Sequence, residues 1–335
     1  MNIYDVADRA NVSIATVSRV INNSPKVSDK TRKKVLDIME ELGFTPNIFA
    51  RGLGLNTMKT VGILCSDPSD LYVARALSYF EKMLRENGYD SLLCCSGYDT
   101  ANLKKYINIL ISKNVDGIIM IGSKYISSNK NIALIRNTSK SLPILLINGF
   151  VKGKNIYCTY YDDFNATKKA VNMLYNNGKR KILFLYNSKS QSAKRKADGF
   201  CDECVNLSIP GENFVTLFCP RNDIEYIVSS LQNFVDKNFY PDAVIASDDF
   251  LAMTVLKFAK INNIEVPKSM AVIGYDDSLF SKLSYPELTT IDSRLFELCS
   301  HTVKTLLEVF EGKSPDNITV LGPVILERDT FKNKA

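Results

Sequence analysis

The sequence predicts a helical N-terminal head followed by an α/β core of two doubly wound parallel-sheet subdomains. Three observations support this fold class. Apolar residues recur at helical spacing near the N-terminus, strand-like and helix-like stretches alternate from residue 61 onwards, and that alternation repeats after residue 160. A chain of 335 residues, 45% of them hydrophobic, is long enough for two or three domains with sizeable cores.

The predicted head opens with two short helices, over residues 3–10 and 14–22. Asn11 falls in the turn between them, where a positive φ is needed and Asn tolerates it better than most residues. Ser13 is placed to cap the second helix through its hydroxyl group. Apolar residues at helical spacing would form the joint between the helices: Val6, Ala7, Val12, Val17 and Val20.

The outer face of the second helix suits the recognition helix of a helix-turn-helix, which reaches base edges and phosphates in the major groove. An ordinary helical hairpin would show the same packing pattern, so the spacing alone leaves both interpretations open. If the head is a helix-turn-helix, its DNA-contacting residues are expected to be Tyr4, Ser13, Ile14, Ala15, Thr16, Ser18, Arg19 and Asn22.

Charge and hydropathy agree with a nucleic-acid-binding protein. Residues 1–60 hold 9 Lys and Arg against 6 Asp and Glu, which is half of the net charge of +6 in less than a fifth of the chain. This bias suits phosphate contact. No apolar run reaches the roughly 18 residues needed to span a bilayer. The first residues lack the basic and apolar segments of a signal peptide, so we expect a cytoplasmic protein.

The eight cysteines are predicted to be structural. Six lie in or beside apolar strand-like or helical stretches, where a cytosolic protein uses cysteine as a small hydrophobic residue: Cys65, Cys94, Cys95, Cys158, Cys219 and Cys299. Cys201 and Cys204 form a C-x-x-C pair inside a helical stretch, without a second ligand pair. We therefore expect neither a metal nor a cofactor.

The core is predicted from its alternating elements, which are typical of a parallel sheet with helices on both faces. Strands are expected over 61–65, 91–95, 117–121, 144–147, 181–186, 243–246 and 271–275. Helices are expected over 74–87, 103–113, 131–138, 165–176, 194–206, 250–261 and 293–311.

Polar residues follow several of these strands, at the edge where a doubly wound sheet binds its ligand. They are Ser66, Asp67, Asp70, Tyr72, Asn148, Asp248, Asp249, Asp276 and Asp277. Carboxylates and amides hydrogen-bond to hydroxyl groups, and an aromatic ring covers the face of a sugar. Helix capping explains each residue equally well. Convergence of both subdomains on one cleft favours a ligand site.

Four N-terminal segments resemble the lactose-repressor family of bacterial regulators. They are Asp5 to Ala7, Val12 to Asn22, Val27 to Val35 and Glu41 to Leu53. The resemblance implies a periplasmic-binding-protein-like core whose last helix crosses back to the first subdomain. It implies a DNA-binding head (1–45), a hinge (46–59) and an effector-binding and dimerisation core (60–335). Subdomain 1 is expected at about 60–158 and 288–317, and subdomain 2 at about 159–287 and 318–330.

The resemblance also implies a set of effector contacts: Ser66, Asp70, Tyr72, Asn148, Lys196, Asp248 and Asp276. Two departures from the family pattern make a simple free hexose a less secure effector. Lys196 stands where sugar-binding members usually carry Arg, and Lys lacks the planar fork that binds two vicinal hydroxyls. Leu71 stands where many members have Pro.

The hinge of the family folds into a helix on operator DNA and pushes a leucine into the minor groove. By resemblance, Ala50, Arg51 and Leu53 belong to this device, with Leu53 as the wedge. Gly52 and Gly54 flank the wedge, and each costs roughly 1 kcal/mol in a helix relative to Ala. We therefore expect the hinge to order only when it binds DNA.

Catalytic residues are not expected. His301, the single histidine, lies mid-helix without a nucleophile signature nearby, and nucleotide-binding glycine motifs are missing from the sequence. An enzyme is therefore not predicted.

Three functions remain. The first is a homodimeric repressor that binds a pseudo-palindromic operator under control of a carbohydrate-related metabolite. The second replaces the metabolite with a protein co-regulator, as in the catabolite control protein A branch, which the segments 3–7, 31–35 and 50–53 resemble. Phe296 and Lys304 resemble the docking positions of that branch in character. The third, a sugar-binding transport protein, is disfavoured by the head and the missing signal peptide.

Overall fold

The computed structural model describes residues 2–22, 24–44, 57–97, 99, 102–219, 223–237 and 239–332. The predicted hinge residues Ala50, Arg51, Gly52, Leu53 and Gly54 lie outside these ranges. Within them, the chain forms a three-helix head and a core of two α/β subdomains, which confirms the predicted fold class. No described helix is long and apolar enough to cross a membrane.

The head consists of α1 (Ile3–Ala10), α2 (Ile14–Ile21) and α3 (Asp29–Glu41). Asn11 ends α1 with φ of 50°, and the Ser13 hydroxyl accepts a hydrogen bond from the Thr16 N–H at the start of α2, so both sequence predictions are confirmed. The third helix was not predicted as an element. The head core contains Val6, Ala7, Ala10, Val17, Val20, Val27, Val35 and Met39, with Val12 partly buried beside them.

The core elements follow in a strict order along the chain. They are β1 (Thr60–Cys65), α4 (Leu71–Glu86), β2 (Asp90–Cys95), α5 (Leu103–Ser112), β3 (Gly117–Ile121), α6 (Asn129–Thr138), β4 (Ile144–Ile147), β5 (Ile156–Tyr161), α7 (Asp163–Asn176), β6 (Ile182–Tyr186), α8 (Gln191–Asn206), β7 (Phe214–Phe218), α9 (Ile224–Asp236), β8 (Ala243–Ala246), α10 (Asp249–Ile261), β9 (Ala271–Tyr275), α11 (Leu279–Leu283), β10 (Thr289–Asp292), α12 (Leu295–Phe310), β11 (Ile318–Leu321) and β12 (Val324–Leu326).

The described strands form two six-stranded sheets. The first has the order β11-β5-β4-β3-β1-β2 and is parallel throughout. The second has the order β12-β10-β9-β8-β6-β7, and only its edge strand β12 runs antiparallel, to β10. Apolar clusters cover both faces of each sheet, as buried parallel sheets require.

The predicted subdomain boundaries differ from the observed crossings at three places. The chain leaves the first sheet only after β5, so 159–161 belong to subdomain 1. β10 pairs with β9, which moves 289–292 to the second sheet. β11 pairs with β5, which moves 318–321 to the first sheet. These short strands follow their hydrogen-bond partners, and their local sequence does not show which sheet they join.

Helices α7 and α8 pack very closely, and Gly199 allows this approach. A Cβ atom at Gly199 would lie 2.2 Å from the backbone oxygen of Phe164. The C-x-x-C pair lies on α8, with Cys204 buried and Cys201 partly buried. All eight cysteines are free thiols, and six of them are buried.

Candidate functional site

The recognition helix α2 presents the predicted DNA-contacting face to solvent. Ile14 is 40% exposed, Tyr4 on α1 is 63% exposed, and Ser13, Ala15 and Arg19 are also exposed. Thr16, Ser18 and Asn22 are partly buried. The structure therefore places all eight predicted head residues on the surface or at its margin, while Ala50, Arg51 and Leu53 lie outside the described residues.

Two head residues of this set have notable hydrogen bonding. The hydroxyl groups of Ser13 and Thr16 lie 2.9 Å apart, within hydrogen-bond distance. The side-chain oxygen of Asn22 is buried and has no hydrogen-bond partner among the described residues. Because unpaired buried acceptors are costly, this amide is suited to accept a hydrogen bond from a partner such as DNA.

A cavity of about 580 Å³ lies between the two sheets of the core. It opens at the carboxyl ends of the parallel strands, where doubly wound folds bind ligands. All seven residues expected to contact an effector line it: Ser66, Asp70, Tyr72 and Asn148 from the first subdomain, and Lys196, Asp248 and Asp276 from the second.

The first-subdomain wall is held together by capping and by one side-chain pair. One carboxylate oxygen of Asp70 accepts hydrogen bonds from the N–H groups of Tyr72 and Val73, at 2.9 and 3.2 Å, and so caps α4. The Asn148 amide donates to the Tyr72 hydroxyl at 2.6 Å. Burial raises the pKa of Tyr72 well above its ordinary value, so this phenol stays neutral.

Asn148 has two features of a ligand-binding residue. Its backbone adopts φ of 54°, a left-handed conformation that Asn tolerates. Its side-chain oxygen is buried at the cavity wall and has no hydrogen-bond partner among the described residues. A ligand hydroxyl in the cavity could donate to this oxygen.

Asp248 also combines a cap with a place on the cavity wall. One carboxylate oxygen accepts from the Leu251 N–H at 2.8 Å and caps α10, and the other accepts from the Asn187 amide at 2.7 Å. Capping and ligand binding, which the sequence left as alternatives, therefore coexist geometrically at Asp70 and Asp248.

Asp276 follows β9 with a strained backbone, at φ of 98°. Burial raises the pKa of its carboxyl group to about 7, although the charge of Lys196 lowers it and that of Asp249 raises it. Near neutral pH this group can therefore both donate and accept a hydrogen bond, which suits a hydroxyl-bearing ligand.

Lys196 is buried beneath the cavity wall. Its ammonium group donates to the backbone oxygen of Ser247 at 2.9 Å and lies 3.3 Å from the centroid of the Tyr275 ring. The Tyr275 hydroxyl in turn donates to Asp163 at 2.7 Å. Lysine at this position thus anchors the second subdomain from below and keeps a positive charge near Asp276.

Three other polar residues at strand ends have partners outside the cavity. Asp67 accepts hydrogen bonds from the N–H and hydroxyl groups of Ser69. Asp249 is buried and accepts from the Thr290 hydroxyl and the Ser278 N–H. Asp277 pairs with Arg328, Lys282 and Ser281. For these three residues the structure supports a structural role.

Several lining residues were missed at the sequence level. They include Ser123, Lys124, Asn187, Lys189, Phe218 and Ser247. Ser247 and Asn187 follow β8 and β6, so the rule about strand ends could have found them. Phe218 ends β7, a strand that the pattern did not predict. A smaller chamber of about 290 Å³ adjoins the cavity and shares Asp70, Tyr72, Asp248 and Asp276 with it.

Comparison with known proteins agrees with both sites. Residues 2–47 match the family of bacterial regulatory proteins called the lacI family, and residues 171–331 match a periplasmic binding protein-like domain. A helix-turn-helix-type transcriptional regulator of Lachnoclostridium phytofermentans is 45% identical over 98% of this chain and 99% of its own length. Catabolite control protein A of Priestia megaterium is 27% identical, covering 98% of both chains.

Solved structures share the fold. The lac repressor dimer bound to operator and the anti-inducer ONPF gives a TM-score of 0.88 at 22% identity, over 98% of both chains. The complex of the transcriptional regulator CelR with cellobiose gives 0.70 at 20% identity, over 99% of this chain and 100% of that one. Head and core together define a DNA-binding transcriptional regulator. The chain belongs to the lacI family of bacterial regulatory proteins.

Proposed function

We propose that this regulator is a repressor whose operator affinity is controlled by a small polyhydroxyl ligand, a sugar or sugar derivative, in the cavity between the subdomains. The observation that carries this proposal is the wall of the cavity. Hydrogen-bonding groups of Asp70 and Asn148 from one subdomain face the same space as Asp248 and Asp276 from the other. Several fixed polar groups in one concave site are typical of small-molecule recognition.

Control of DNA binding follows from the position of the cavity. A ligand that contacts both walls stabilises one relative rotation of the two subdomains. The hinge between head and core, residues 46–59, would transmit this rotation to the DNA-binding head. The protein acts on operator DNA, in the cytoplasm, as a binding protein without catalysis.

We further propose that the operator is pseudo-palindromic and that the protein binds it as a homodimer. Large apolar side chains are exposed on and just after α11: Leu279, Leu283 and Tyr285, the last 98% exposed. Exposed apolar patches of this kind mark interaction sites. The similar lac repressor is a dimer on its operator, and a two-fold protein reads two half-sites.

A protein co-regulator is a second candidate, because α12 presents a mixed surface. Phe296 is 54% exposed and packs edge-on against Tyr79, with ring centroids 5.4 Å apart. Lys304 lies further along the same helix, is largely exposed, and sits 4.0 Å from Glu308. An aromatic anchor beside a lysine would suit a phosphorylated partner.

Two experiments separate these candidates. The full chain is screened for thermal stabilisation by mono- and disaccharides, and any sugar that stabilises it is titrated against an operator obtained by binding selection. We expect at least one sugar to raise the melting temperature and to change operator affinity. Phe296→Ala should leave that response intact. If sugars leave the melting temperature unchanged, and Phe296→Ala abolishes capture of a phosphoprotein, the co-regulator candidate replaces the first.

A further inference from the structure

We infer that the ligand carries an anionic group, a carboxylate or a phosphate, which is bound at one end of the cavity between Lys124 and Lys189. This inference rests on the proposed function and narrows the chemical class of its ligand. It starts from the distribution of charge around the cavity.

The charged residues of the cavity wall are segregated. The carboxylates Asp70, Asp248 and Asp276 line both the main cavity and the smaller chamber, so they lie at the end where the two spaces adjoin. Lys124 and Lys189 line the main cavity and are not part of the wall of the chamber. The cavity therefore has a carboxylate end and a lysine end.

The lysine end is built from both subdomains. Lys124 lies in the 3₁₀ turn Ser123–Ile126 of the first subdomain, and Lys189 lies just before α8 in the second. The Ser192 N–H donates to the Ser123 hydroxyl at 3.0 Å. This bond joins the two segments, so the two lysines approach the cavity from opposite sides of one short junction.

The remaining groups at this end also suit an anion. The hydroxyl-bearing residues Ser127, Ser188 and Ser190 line the same part of the cavity. The N-terminus of α8 adds partial positive charge, although the N–H groups of Ser192 and Ala193 already donate to the Ser123 and Ser190 hydroxyls. The ammonium groups of the lysines, rather than helix N–H groups, are therefore the main donors.

An anion at this position would offset the repulsion between the two ammonium groups and would bridge the subdomains. Burial lowers the pKa of Lys124, and Lys189 lies 5.2 Å from the centroid of the Phe218 ring. A ring stacked on Phe218 would place its acidic substituent beside Lys189, with its hydroxyl groups towards the carboxylate end. Sugar acids and sugar phosphates share this arrangement of hydroxyls and one anion.

The test compares matched ligands by calorimetric titration of the full chain at constant ionic strength. Each neutral mono- or disaccharide is paired with its uronic acid and its phosphate ester, and inorganic phosphate and acetate are included as anions alone. We expect an acidic member to bind at least about tenfold more tightly than its neutral parent. Whether the uronic acid or the ester gains identifies the anion.

Variants connect the gain to the lysines. Lys124→Gln/Lys189→Gln should remove most of the advantage of the acidic ligand and leave the neutral parent unchanged. Lys130→Gln/Lys194→Gln removes the same charge from exposed positions on α6 and α8 and should retain the advantage. Equal or tighter binding of neutral sugars would overturn this inference and leave the proposed function standing. Failure of every sugar, neutral or acidic, to bind would overturn both.

Discussion

The head and the core use their polar residues in different ways. On α2 of the head, Arg19 extends from an exposed helix face, whose packing is complete without it. In the core, Asp70 and Asp248 cap helices while they line the cavity. A head substitution on this face should therefore change DNA binding alone, whereas a core substitution changes both stability and ligand binding.

The sharpest contrast within the core is between two consecutive carboxylates. Asp249→Ala removes the buried acceptor for the Thr290 hydroxyl, at 2.6 Å, and for the Ser278 N–H, at 2.7 Å. We expect a loss of about 3 kcal/mol in the free energy of unfolding, measured by urea denaturation. Asp248→Ala should cost only about 1 kcal/mol through its lost cap but should weaken ligand binding. Equal losses of stability would break the contrast.

Arg19 tests the head side of the comparison. Arg19→Ala should weaken operator binding by about 1–3 kcal/mol and relax base preference within each half-site. Its melting temperature should match that of the wild type. Arg9→Ala is the matched control, because Arg9 pairs with Glu41 within the head and is not part of the predicted DNA-contacting face. If Arg19→Ala selects the wild-type motif with wild-type affinity, Arg19 has no role in reading bases.

A pH titration tests whether the cavity wall costs stability. The pKa of Asp276 rises from 3.8 to about 7 on folding, so the folded state retains a proton that the unfolded state releases. Stability should then fall as the pH rises from about 4 to about 7. In Asp276→Asn the fall should be smaller, and the part that remains is due to Asp249, whose pKa burial raises to about 6. An equally steep fall in the variant would contradict this account.

The smallest effect concerns two serine caps in the head. Ser13 caps α2 and Ser28 caps α3, each by accepting from an N–H in the first turn. Replacing either with Ala should cost about 1 kcal/mol in thermal unfolding. Only Ser13→Ala should also reduce operator affinity at a temperature where both variants are folded, because only Ser13 lies at the recognition helix. Equal operator affinity of the two variants would remove Ser13 from the DNA-contacting set.

Sequence patterns predicted the buried elements well and the edge elements poorly. β1, β3 and β8 are continuous apolar runs, as strands covered on both faces must be. β7, β11 and β12 are sheet edges with half-exposed residues, so their composition does not distinguish them from loops. The short α11 and the strand β10 were missed for want of length.

The candidate site was predictable in part for a related reason. The rule about strand ends brought seven residues to one cavity wall, because it depends on topology alone. It did not distinguish Asp248 from Asp249, since which carboxylate faces the cavity depends on the backbone at the strand end. It also missed Lys124 and Lys189, whose proximity depends on how the two subdomains meet.

The central claim is that occupancy of the cavity controls the head. It is tested by operator affinity, measured by fluorescence anisotropy, with and without the sugar that stabilises the full chain, in wild type and Asp276→Ala. We expect saturating sugar to change wild-type operator affinity by about 5- to 150-fold. The variant should keep its sugar-free operator affinity and need about 5- to 150-fold more sugar for the same change. Sugar binding without a change in operator affinity, or a response of Asp276→Ala at wild-type concentrations, would contradict the account.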